Sequence, residues 1–110
     1  MKIRSPLALA AGAVSAQPAR PASAMVLDVP DARVVVFRIE PGQVVAPHTS
    51  TSTVLLSVLA GSGIVSGAED ERAVAMGDLI EYEVGELHGM RAIDEQLVIV
   101  AIITPRPGAR

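Results

Sequence analysis

Apolar residues in this chain come in short runs cut by glycine, proline and polar clusters. Residues 32–40, ARVVVFRIE, are rich in β-branched side chains. Alternation along an extended strand sets Val34, Val36, Arg38 and Glu40 on one side and Val35, Phe37 and Ile39 on the other. Pro41-Gly42 turns the chain, and residues 44–46 predict a short strand leading to His48. Residues 53–60, TVLLSVLA, predict a mostly apolar strand ended by Gly61-Ser62-Gly63. Residues 64–66 and 72–75 flank a polar hairpin tip at 67–71. After the turn signal Gly77-Asp78, residues 79–84 alternate, with Ile80, Tyr82 and Val84 facing the core and Glu81 and Glu83 facing solvent. Gly85 follows, then His88-Gly89-Met90-Arg91, and residues 96–104 predict a long apolar strand stopped by Pro105 and Pro107.

No helical period of useful length runs through residues 25–110. Strands that recur every ~8–12 residues with turn residues between them indicate an all-β sandwich or barrel. Closing the sheet would hide its edges.

The first residues differ in kind. Residues 1–27 carry Lys2, Arg4 and Arg20 and no acid, whereas residues 28–110 carry all 12 acidic residues against six arginines. A basic pair, then LALAAGAV, then small residues resembles an export signal with cleavage before Gln17 or Met25. The main expectation is an Ala/Pro-rich extension of a cytoplasmic protein, with export the alternative. The domain division expected is therefore 1–24 as extension or signal and 25–110 as one domain. Pro18, Pro21 and Pro30 oppose a helix across 17–30. No stretch reaches the ~18 apolar residues of a membrane span.

Composition removes several classes of function. With 110 residues the chain has room for one domain. It has no cysteine, which excludes disulfides, thiol catalysis and cysteine-ligated metals. A formal charge of -3 and only one Tyr and one Phe argue against a nucleic-acid surface.

The chemistry-bearing residues are His48 and His88, each a few positions after a turn glycine. Gly42, His48, Ser50, Val54 and Gly61 form one spaced block; Gly77, Gly85, His88 and Ala92 form a second. This two-block layout resembles the cupin superfamily across roughly residues 32–105. The resemblance implies a small double-stranded β-helix, or jelly-roll, barrel. It also implies a metal site of three histidines and a glutamate, whose positions here hold His48, Ser50, Val54 and His88. Valine cannot ligate and serine is a poor ligand, so two of the four expected ligands remain. A tight transition-metal site uses three or four. The expectation is no tightly bound cofactor, with a weakly held divalent metal on His48 and His88 as the alternative.

Imidazoles titrate near neutrality and can hold or donate a proton. His48 and His88 are expected to face one barrel mouth and take a small polar or anionic ligand. Ser50 and Tyr82 would offer hydroxyls, and Met90 would share the side of His88. Two other functions stay open: a metal-assisted or histidine-based small-molecule enzyme of oxygenase or isomerase type, and a structural dimer module with a filled interior. A barrel this small gains from dimerisation, so a homodimer is expected. The acidic segment 69–71 lacks the length and ligand spacing of an EF-hand.

Overall fold

The computed structural model describes residues 1–108. One short helix, α1 (Pro6–Gly12), precedes nine strands: β1 (Ala22–Val29), β2 (Ala32–Ile39), β3 (Val44–His48), β4 (Thr53–Ala60), β5 (Ser62–Ser66), β6 (Glu71–Ala75), β7 (Leu79–Tyr82), β8 (His88–Arg91) and β9 (Leu97–Thr104). They form a five-stranded sheet in the order β1-β2-β9-β4-β7 and a four-stranded sheet in the order β3-β8-β5-β6. Every pairing between these strands is antiparallel.

β9 is the centre of the larger sheet, paired along its length with β2 and with β4. Its alternating side chains enter two different cores. Leu97, Ile99 and Ala101 point between the sheets, where they meet Ile39, Val54, Leu56, Val58, Val65, Tyr82 and Met90. Val98 and Val100 point outward and pack with Val26, Val36 and Ala10 of α1. A strand covered on both faces reads as a continuous apolar run, as LVIVAIIT does.

The tight turn that carries the chain from β4 in one sheet to β5 in the other is made at Gly61, whose φ of +74° and near-contact with the Gln96 carbonyl leave no room for a Cβ.

The alternation expected of β2 is present: Val36 belongs to the outer cluster and Ile39 to the inner one. Residues 79–84 differ from expectation at their end. β7 stops at Tyr82, and Val84 is 60% exposed instead of facing the core. The cause is local. The Glu86 side chain accepts the Glu83 N–H at 2.9 Å, and the Glu86 N–H donates to the Glu83 carbonyl at 3.0 Å, so the chain is turning before Val84 is reached. The N-terminal residues also acquire structure. Ser5 caps α1 by accepting the Ala8 N–H at 3.2 Å, and β1 begins at Ala22. No helix of the described residues is long and apolar enough to cross a membrane.

Candidate functional site

β3 is an edge strand and β8 is its neighbour, and their register sets His48 directly opposite His88. Directly opposed residues in an antiparallel pair hold their side chains close together. The two imidazole centroids lie 4.2 Å apart with the planes tilted by 57°. His48 is exposed and covers His88, which is 5% exposed. Tyr82 of β7 also approaches His88, its ring centroid 5.1 Å away. Three rings from two sheets thus form one cluster of tilted rings, with His88 in contact with the other two.

This close approach depends on Gly89. A Cβ there would stand 3.0 Å from the Val45 carbonyl oxygen and 3.2 Å from Pro47. Glycine lets β3 lie tight against β8, and Pro47, without an N–H, is tolerated because β3 is an edge.

The ring nitrogens are fixed by the backbone. Nδ1 of His48 lies 2.9 Å from the Ala46 carbonyl, and Nδ1 of His88 lies 3.2 Å from the Glu86 carbonyl. A carbonyl only accepts, so each Nδ1 carries a proton directed at the backbone, and Nε2 is the nitrogen left to meet a ligand. Burial holds the His88 pKa below its ordinary value, and the charge of His48 adds a weaker push in the same direction; the Glu86 carbonyl and carboxylate oppose them. Burial therefore favours the neutral form of His88. Burial first, then Glu86 and Asp70, raise the Tyr82 pKa, and its hydroxyl donates to the Ser66 carbonyl at 2.8 Å.

Ser50 is not free to act alone. Its hydroxyl accepts the Ser52 N–H at 3.1 Å, and its carbonyl accepts the Gly85 N–H at 2.9 Å. Through that last bond it ties the segment after His48 to the turn before His88. Met90 is 4% exposed and sits in the inner core against Val45 and Val65, its partners in register. The structure thus brings His48, His88 and Tyr82 together, places Ser50 at the adjoining tie and Met90 in the packing beneath.

Two further residues support the site. Glu86 orients His88 through its carbonyl, and a backbone acceptor leaves no trace in residue type. Ser52, 2% exposed, donates to the Pro105 carbonyl at 2.6 Å and pins the loop after His48 to the end of β9. A cavity of about 220 Å³ opens between the β5–β6 hairpin and β7, with Val65, Ile80 and Tyr82 on its walls and Asp70, Arg72, Glu81 and Glu86 around them. Tyr82 is common to this cavity and to the ring cluster.

The metal set implied by the two-block layout does not fit these residues. Val54 is 2% exposed among core aliphatics, and the Ser50 hydroxyl is committed to a turn. Among the described residues, no three His, Asp, Glu or Cys side chains converge on one point.

No family model and no curated protein matches the sequence. Solved structures do match in fold. An uncharacterized conserved protein with a double-stranded β-helix domain from Klebsiella pneumoniae is 24% identical, with a TM-score of 0.84 over 100% of this chain and 94% of that one. An RmlC-like cupin protein from Desulfovibrio desulfuricans is 21% identical, with a TM-score of 0.76 over 86% and 92%. The DMSP lyase DddQ from Ruegeria pomeroyi is 16% identical, with a TM-score of 0.73 over 86% of this chain and 52% of the enzyme.

Proposed function

We propose that this chain, a small barrel with the double-stranded β-helix fold of the cupins, is a small-molecule-binding protein. Its ligand is polar and neutral and donates hydrogen bonds to the paired histidines. The observation that carries this is the commitment of both Nδ1–H groups to backbone carbonyls. A ring in that tautomer offers its Nε2 lone pair, which suits a hydroxyl or amine donor. The surroundings oppose an anion. His88 resists taking a proton, and Asp70, Glu81 and Glu86 outnumber Arg72 around the neighbouring cavity. Arg72 is itself paired with Asp70 at 3.0 Å. Of the two ligand classes open from the sequence, the polar one is favoured over the anionic one.

The test is NMR of the histidine side chains. Long-range 15N correlation of the free protein is expected to show both rings as the Nδ1–H tautomer. Titration with small polyols and monosaccharides is expected to move the Nε2 resonances, and His48→Ala with His88→Ala to abolish the response. Acetate or phosphate moving those resonances while polyols do not would overturn the reading. So would about one metal per chain by elemental mass spectrometry that disappears in the double variant.

The same reading includes a homodimer through the edge strand β1. Met25, Leu27 and Val29 stay 36–49% exposed on it, and an edge strand offers unpaired backbone groups to a second copy. Light scattering is expected to give twice the chain mass. Substituting Met25 and Leu27 by Lys is expected to halve it, and a monomeric wild-type mass would end this part.

A further inference from the structure

The segment before β1 is fastened to the barrel at two places. Ala10 of α1, 1% exposed, is set against the outer face of the five-stranded sheet with Val26, Val36, Val98 and Val100. Arg38 rises from the same face of β2. Its Nη1 donates to the carbonyls of Ala10 at 2.6 Å, Ala11 at 3.1 Å and Ala13 at 3.2 Å. Carbonyls at a helix C-terminus lack partners within the helix and carry partial negative charge, so a guanidinium there is well matched.

The second fastening is Gln43. Its Nε2 donates to the Pro18 carbonyl at 2.9 Å, and its Oε1 accepts the Glu40 N–H at 2.8 Å. Glu40 and Gln43 bracket the Pro41-Gly42 turn, which is closed by the Gln43 N–H on the Glu40 carbonyl at 2.9 Å. The next residue, Val44, opens β3, and β3 ends at His48.

We propose that residues 5–18 are a retained cover of the five-stranded sheet, latched by Arg38 and Gln43, and that the Gln43 latch positions the start of β3 and with it His48. The positioning half rests on His48 and His88 being the ligand-facing pair; the covering half stands without it. A seven-residue helix is marginal by itself in water, so its order here comes from the side chains that hold it. Processing before Met25 would remove Ala22, Ser23 and Ala24, which pair with Arg38, Phe37 and Val36. Processing before Gln17 would strip Ala10 from Val36, Val98 and Val100. The Klebsiella structure aligns over the whole of this chain, so that fold has polypeptide in the same places.

The experiment is hydrogen exchange with mass spectrometry on the full chain, with proton NMR of the same samples. The amides of Leu9, Ala13 and Arg20 donate within the segment. In the wild type, peptides from residues 5–20 are expected to exchange about ten-fold or more slowly than unstructured chain, and Arg38→Ala is expected to abolish that protection. Gln43→Glu keeps the acceptor for Glu40 and loses the donor for Pro18. It is expected to speed exchange around residue 18 and to shift the His48 ring proton while β9 stays protected. This variant decides the matter even if Arg38→Ala does not fold. Wild-type exchange of residues 5–20 at the unstructured rate overturns the cover. So does protein from an exporting host that begins at Gln17 or Met25. An unmoved His48 resonance in an unlatched Gln43→Glu chain overturns the positioning half and leaves the ligand reading to its own test.

Discussion

β9 and β3 are built on opposite principles. In β9, the five residues from Leu97 to Ala101 are buried on both faces of a central strand with partners on either side. In β3, four of five residues are exposed, the strand is an edge, and it contains a proline. Yet β3 carries His48, and β9 carries no titratable group. The strand that stabilises the fold and the strand that presents the chemistry are different strands. The edge leaves His48 exposed, whereas His88, on the inner strand β8 beside it, is 5% exposed. The cost of an edge is weak specification, met here by Gly89, by the Ser50–Gly85 tie and by the Gln43 turn.

The contrast should break hardest at β9. Ile99→Ala removes a side chain with 0% exposure from between the sheets and should destabilise the fold by about 2–5 kcal/mol. Urea unfolding with an unchanged slope is the check. A loss under about 1 kcal/mol would mean that β9 is not the keystone its burial implies.

Gly89→Ala tests the junction of the two regions. Its Cβ would force the Val45 carbonyl and Pro47 to move. A stability loss of about 1–3 kcal/mol is expected, together with displaced His48 and His88 ring resonances. Unmoved resonances would show that β3 does not need the close approach.

The finest effect is pH dependence. The folded pKa of His88 lies below its unfolded value, so between the two values the unfolded chain binds more protons. This contribution is fully present above ~6.5 and is lost as pH falls through the depressed folded value. Urea midpoints should therefore drop as pH falls below ~6.5, and His88→Gln should flatten that segment of the profile. His48→Ala, at an exposed position, should change neutral-pH stability by less than about 0.5 kcal/mol. A larger loss would make His48 a structural residue.

Much of the fold followed from pattern because most strands here have one buried face, and one buried face leaves a period-2 trace. The strand at residues 53–60 and the end of β9 at Thr104 are where that trace and the turn residues place them. Val84 broke the pattern because a side-chain bond from Glu86 ends the strand early. Helix α1 left no usable period because it is seven residues long and buries a single alanine. The histidines stood out by residue type and by their spacing from glycines. Their tautomers and the supporting Ser52 did not, because both depend on backbone acceptors that any residue can supply.

The sequence by itself determined the all-β barrel class and most of its strands, since these are properties of residue identity and local spacing. Only the tertiary structure decided which imidazole is buried, which nitrogen meets the backbone and that the first residues lie across the sheet. Those depend on contacts such as Tyr82 with His88, Ser52 with Pro105 and Arg38 with Ala10. Their partners are remote in the chain, and no local pattern records a partner that is far away.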